Sequence, residues 1–360
     1  MTTRSFHTAT AAYNKDHTLS GIPPPSYITL YECCGKGGWG QILTGNIQNV
    51  TIPDDAPFES PKFEAFKEGA AKGKANGSFL VAQIAHAGRQ VPEFITTNPI
   101  SVGDVQLSKH QLKGSTFAIR HAAEFLDKAG FDGVQLHAGH GYLLAQFLSS
   151  STNLRTDEYG GSFENRTGLI IEIAAVIKKR VSKNFILSIK TNSVEFQDRD
   201  FTVDEAVVLT QALERAEFDY VETSGGNYEH LGFYHAREST RARENFFIDF
   251  AAQVAKAVTK TKVYTTGGLK TVAGMVNALA EVDGIGLGKA ACQEPEVARD
   301  ILSGEVRGVV TCALPDEKGF ERLLFSGYQI YEIAHGLEPA GGTDRNAAVG
   351  VSKQVAATVK

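Results

Sequence analysis

From residue 40 onward the sequence alternates between two patterns of apolar and polar positions. Short apolar runs at residues 40–47, 79–85, 133–136, 185–191, 220–223, 262–266 and 284–288 have the length and the flanking glycines of strands. Most are near-continuous, the pattern of a parallel sheet covered on both faces. Between them, apolar residues recur at helical spacing. Ser60-Pro61 offers an N-cap followed by proline at the first helical position. Thr202 and Glu205 form a capping box at the start of another helix. Leu169, Ile170, Ile173, Ala174, Val176 and Ile177 line one face of a helix that starts near Glu164. Residues 116–128 predict a further helix, Pro295 opens one after the last strand, and 317–333 predicts a last helix packed outside the sheet.

This alternation predicts an α/β fold, a (β/α)8 TIM barrel. Seven strands are visible and closure needs eight, so the first strand is expected to be incomplete or atypical. It would come from residues 5–12, from a partner, or not at all. Residues 1–335 are expected to form a single barrel domain including the outer C-terminal helix. Residues 336–360 are small and polar, with Gly341-Gly342, and are expected to be a flexible tail.

The strand-like runs end in Thr-Gly-Asn (44–46), His-Ala-Gly-Arg (86–89), His-Ala-Gly-His (137–140), Lys-Thr-Asn (190–192), Ser-Gly-Gly (224–226), Gly-Gly (267–268) and Gly-Lys (288–289). Glycine and polar groups thus gather at the carboxyl edge of the sheet, where such folds bind ligands.

Composition narrows the classes further. A chain of 360 residues with 42% hydrophobic content can bury a large core. A net charge of −5 without a polybasic run argues against nucleic acid or an anionic membrane as the main partner. No run approaches membrane-spanning length, and the first residues, MTTRSFHTATAAYNK, lack the apolar core of a signal peptide. The four cysteines, at 33, 34, 292 and 312, give neither metal-ligand spacing nor a disulfide framework. A cytoplasmic, reducing location is expected.

The chemistry concentrates after the run 133–136, where His137, His140 and Tyr142 arrive within six residues. As metal ligands the histidines would need a third ligand, and no companion motif such as His-Glu-x-x-His is present; no metal is expected. They could be structural loop residues. They could also be neutral donors whose N–H groups converge on developing negative charge. Tyr142 beside them can deliver a proton, since a phenol with a pKa of about 10 is protonated at neutral pH. Tyr264-Thr-Thr-Gly267-Gly268 and Gly286-Leu-Gly288-Lys289 end the last two runs, either as glycine turns or as a phosphate site built from backbone N–H groups. Lys190, on an apolar run, needs an anionic cofactor or a neighbouring carboxylate. Gln83, inside another, needs hydrogen-bond partners. Tyr228, His235 and Arg237 either shape a pocket or are solvated loop side chains.

These stretches resemble a known family. HAGHGYLLAQFLS followed by NLRTDEYGGSFENR, with QIAHAGRQ, LTGNIQ, IKTNSVEFQ, SGGNYE and TTGG, is similar to the Old Yellow Enzyme (NADH:flavin oxidoreductase) family, in particular its fungal members. The resemblance covers roughly residues 30–302. It implies a barrel that binds FMN, is reduced by NAD(P)H, and reduces the C=C bond of an enone or enal. By position, His137 and His140 would bind the substrate carbonyl oxygen and Tyr142 would protonate its α-carbon. Gln83 would contact the pyrimidine edge of the flavin, Gly45 would lie against the ring, and Lys190 would stabilise the reduced, anionic ring at N1/O2. Gly267, Gly268, Gly288 and Lys289 would hold the phosphate; arginine is commoner at the last position, and lysine keeps the charge without the bidentate fork. The chain departs from the family pattern in a shorter N-terminus and in a short segment between residue 106 and the helix at 116–128. The alternative is a flavin-poor member that isomerises, cyclises or only binds a carbonyl compound. Substrate identity, NADH against NADPH, and a homo-oligomeric state are left open by the sequence.

Overall fold

The computed structural model describes residues 21–48, 52, 56–90, 101–102, 109–192, 202–224, 247–314, 319–344 and 348–352. The expectations for residues 5–12 and for Tyr228, His235 and Arg237 lie outside them. Eight strand segments form one parallel sheet: β1 (Gln41–Leu43), β2 (Ile47–Gln48), β3 (Phe79–Ala85), β4 (Gly133–Ala138), β5 (Ile186–Asn192), β6 (Tyr220–Ser224), β7 (Lys262–Thr266) and β8 (Gly284–Gly286). They follow the order β1-β3-β4-β5-β6-β7-β8, with β2 also on β3. β1 and β2 are therefore two pieces of one strand. Ile47 lies six positions after Gln41, but their partners Phe79 and Ile84 are only five positions apart, so Thr44-Gly45-Asn46 contains a one-residue bulge.

The strands alternate more strictly than their composition suggests. Ile42, Leu80, Ala82, Ile84, Val134, Leu136, Leu187, Ile189, Val221 and Val263 join the main apolar core under the helices. Their neighbours Gln41, Gln83, Gln135, Ser188, Lys190, Tyr220, Glu222 and Tyr264 occupy the opposite face. That face is strongly concave. The Gln41 amide on β1 donates to the Tyr220 hydroxyl on β6 across 2.7 Å. Four strand spacings separate these strands in the sheet order, about 19 Å if the sheet were flat. Curling is what brings the two side chains together.

A repeated clamp fixes the register. Asp132, Asp219 and Asp283 each precede an even-numbered strand, and each carboxylate accepts the backbone N–H of the preceding strand, from Leu80 (2.7 Å), Leu187 (2.8 Å) and Val263 (3.0 Å). Their own N–H groups return bonds to the carbonyls of the same three residues. Each pair works like a stitch at the amino edge, the edge opposite the candidate site.

The helices start where their caps dictate. α1 (Pro25–Lys36) packs on α2 (Pro61–Lys74), whose N-cap Ser60 accepts the Phe63 N–H. α3 spans Lys109–Lys128, starting seven residues earlier than the apolar pattern suggests. The short α4 (Leu143–Leu148) follows β4 and precedes α5 (Phe163–Lys178), capped by Ser162. α6 (Val203–Arg215) carries the complete Thr202–Glu205 capping box. α7 (Ile248–Ala255) packs on β7 and α8 (Val272–Leu279) on β8; α9 (Lys289–Gln293) and α10 (Val297–Leu302) follow, and α11 (Gly319–Ala334) packs on α1 and α9. Beyond it, the Gln329 amide donates to the Ala340 carbonyl (2.6 Å), and Ser352 to that of Glu321 (3.1 Å). The four cysteines are unpaired. No helix of the described residues is long and apolar enough to cross a membrane.

Candidate active site

His137 lies on β4 rather than after it, because the strand continues to Ala138, and its cross-strand partner is Lys190. The chain then turns sharply. His140 takes φ +57°, a left-handed conformation uncommon for a residue with a side chain, and its backbone N–H is held by Asn192 Oδ1 at 2.9 Å. This turn folds His140 back over His137, with Nδ1 of the former 3.1 Å from Nε2 of the latter. The Tyr142 ring lies 4.6 Å from the His137 ring, centre to centre, and all three side chains are buried.

The hydrogen bonds assign the tautomers. The Gly139 N–H points at His137 Nδ1 (3.2 Å), so an uncharged His137 carries its proton on Nε2 and donates it to His140 Nδ1. An uncharged His140 then carries its own proton on Nε2. With these tautomers the first imidazole donates to the second, whereas the sequence suggests two parallel donors. The same His-Ala-Gly turn closes β3, where the Gly88 N–H meets His86 Nδ1 at 3.0 Å. Burial pushes the pKa of His86 below its ordinary value, favouring the uncharged ring.

A second group lies on the concave face of the sheet. Gln83 donates to Gln135 Oε1 (2.6 Å) and Gln135 to Glu222 Oε2 (2.9 Å), while the Lys190 ammonium forms an ion pair with Glu222 Oε1 (2.8 Å). Lys190 thus has a neighbouring carboxylate. Burial works to raise the Glu222 carboxyl, but the Lys190 charge and hydrogen bonds from Lys190, Thr266 and Gln135 outweigh it and hold it below the usual range. Gly45 sits at the bulge, its N–H bound by the Tyr31 hydroxyl at 2.9 Å. Its neighbour Asn46 donates to the Tyr142 hydroxyl oxygen at 3.1 Å. Gly267 and Gly268 follow β7 with φ of +143° and +77°, and Gly288 caps α9, which begins at Lys289. These four share the carboxyl edge with the histidines.

Asn46, Gln135, Asn192 and Glu222 escaped the sequence reading. Gln135 and Glu222 carried the signal used for Gln83 and Lys190, a polar residue inside an apolar run. Asn46 and Asn192 gave none beyond lying at strand ends. The conspicuous stretch after Tyr142 is a brace: Asn153 donates to the carbonyls of Phe147 (2.8 Å) and Tyr159 (2.7 Å), and Arg155 pairs with Asp157. Arg166 binds the Leu148 carbonyl and Glu205. Together these bonds tie α4 to α5 and α6. No group of three or more potential metal ligands occurs among the described residues.

Residues 54–305 match the family described as NADH:flavin oxidoreductase / NADH oxidase. An NADH-dependent flavin oxidoreductase of Aspergillus parasiticus is 42% identical over 361 aligned residues, covering 91% of this chain and 80% of that protein. Among solved structures, a 2-naphthoyl-CoA reductase complex superposes with a TM-score of 0.73 at 20% identity, over 92% of this chain and 53% of that one. An old yellow enzyme homologue from Zymomonas mobilis gives 0.65 at 19% identity, over 86% of this chain and 89% of the other. At these identities the structural likeness is one of fold.

Proposed function

The chain belongs to the NADH:flavin oxidoreductase / NADH oxidase family, an oxidoreductase family that works with FMN and NAD(P)H, and on that premise we propose that it reduces the C=C bond of an α,β-unsaturated carbonyl compound. The observation that carries the reading is the buried meeting of His137, His140 and Tyr142 at the carboxyl end of β4. The same reading takes residues 1–335 as one domain and the curled sheet as the wall of a (β/α)8 barrel closed between β8 and β1.

The residues present suit FMN. Gln83 and Lys190, joined through Gln135 and Glu222, offer an amide and a cation for a pyrimidine edge. Glycine is required at the ends of β7 and β8 by the chain's own packing: a Cβ at Gly286 would come within 2.0 Å of Thr266 Oγ1, and one at Gly267 within 2.6 Å of the Phe247 ring. Backbone N–H groups there, with Lys289 beside them, suit a phosphate.

Bound FMN supplies the hydride that the C=C bond receives. His140 donates from Nε2 to the carbonyl oxygen, and His137 strengthens that bond by donating into His140 Nδ1, each bond polarising the next. Electron density drawn onto the oxygen leaves the β-carbon open to hydride. Tyr142 gives its proton to the α-carbon, and the Asn46 amide steadies the phenolate it leaves. Burial of the three rings keeps water away from the proton transfer.

Purified protein, incubated with FMN and desalted, is expected to keep a flavin absorption band that bleaches with NADH or NADPH and recovers on adding 2-cyclohexenone. Protein that takes up no FMN, or bleaches without recovering on any enone or enal, would reject the proposal.

A further inference from the structure

Gln83, Gln135, Glu222 and Lys190 form one chain across β3, β4, β6 and β5, with successive contacts of 2.6, 2.9 and 2.8 Å. Glu222 stands at its centre of charge. It is the cross-strand neighbour of Lys190, whose other neighbour is His137. Both charged side chains are about one-twentieth exposed, at 5% and 6%. Gln83 and Lys190, the two ends of this chain, are the residues proposed to face the flavin ring.

We propose that Glu222 is a positioning residue that sets the reduction potential of the flavin by fixing Lys190 and offsetting part of its charge. The inference rests on the flavin reading of the previous subsection. An ammonium alone would favour the reduced ring, which gains negative charge at the edge near N1/O2. Paired with a carboxylate at 2.8 Å, the same ammonium presents a dipole, whose field falls off faster than that of a single charge. The reduced flavin is then stabilised less and remains a stronger hydride donor. Gln135 and Thr266 hold the carboxylate in place, so the offset is built into the sheet rather than left to a mobile side chain. Gln135 also links Glu222 to Gln83, so one carboxylate orders both ends.

The test is a redox titration of FMN-loaded protein at neutral pH: wild type, Glu222→Gln, Lys190→Met and the double variant. In Glu222→Gln the affinity ratio for reduced over oxidised FMN is expected to rise at least tenfold, equivalent to about 30 mV for a two-electron couple. In the Lys190→Met background the rise is expected to vanish, because a buried carboxyl that has lost its cationic partner takes up a proton and is already neutral. An unchanged ratio in Glu222→Gln, or an equal rise in both backgrounds, overturns the inference. Should Glu222→Gln not fold, Glu222→Asp replaces it: its shorter arm draws the charge away from Lys190, and a smaller rise is expected. An unchanged ratio there overturns the inference too. Wild-type protein that takes up no FMN defeats the flavin reading and this inference together; uptake with unchanged ratios defeats this inference alone.

Discussion

The Asn46 amide donates to the Tyr142 hydroxyl oxygen across 3.1 Å, joining residues 96 positions apart in the chain. Asn46 can reach because the bulge at Thr44-Gly45-Asn46 turns it out of the β1–β2 ladder, and Tyr142 because the turn at His140 lifts the chain off β4. The proposed acid therefore owes its position to two interruptions of regular structure.

Tyr142→Phe removes the acid and leaves the ring packing in place. Enone reduction is expected to slow by about 10²–10⁴-fold, the usual span for general-acid catalysis. Stopped-flow traces should show bleaching by NADH or NADPH at an unchanged rate and a slowed recovery with substrate. Equal slowing of both phases would remove Tyr142 from the proton-donor role.

Asn46→Leu keeps the volume and deletes the donor to Tyr142. One lost hydrogen bond, about 1–1.5 kcal/mol, corresponds to roughly a tenfold loss in the proton-transfer phase. The flavin spectrum should not change. A loss as large as that of Tyr142→Phe would mean that Asn46 does more than orient the phenol.

The relay makes the two histidines unequal. His140→Leu deletes the donor to the carbonyl oxygen and is expected to cost about 10²–10³-fold in kcat/KM, as loss of an oxyanion donor does. His137→Leu removes only the support behind it, and about tenfold is expected. Steady-state kinetics on both variants decide the point. Equal losses would indicate two parallel donors, as the sequence alone suggested.

The aspartate clamps carry stability rather than chemistry. Asp219→Ala strips the Leu187 N–H of its carboxylate acceptor and should cost about 1–3 kcal/mol in denaturant unfolding, with activity per folded molecule retained. Burial works to raise the Asp283 carboxyl, but hydrogen bonds from Lys262 and the Val263 N–H, with the Lys262 charge, hold it below its ordinary 3.8. A depressed folded value means its contribution is complete above the unfolded value and is lost as pH falls through the folded one. Asp283→Asn protein should accordingly lose less stability than wild type between about pH 5 and pH 2. Parallel acid curves for the two proteins would contradict the assignment.

What the sequence determined was whatever neighbouring residues decide among themselves. The strand runs, the caps at Ser60, Ser162 and Thr202, and the crowding of His137, His140 and Tyr142 all depend on contacts a few positions apart. The two His-Ala-Gly turns are equally local, each binding a histidine to the glycine two residues on. Tertiary structure alone decided which distant polar groups meet. Gln41 finds Tyr220 because the sheet curls, Lys190 finds Glu222 because of parallel register, and Asn46 finds Tyr142 because a bulge shifts the first strand by one residue. Curvature is set by the packing of every helix on the sheet at once, and register by clamps between residues far apart in the chain, so no single stretch encodes either.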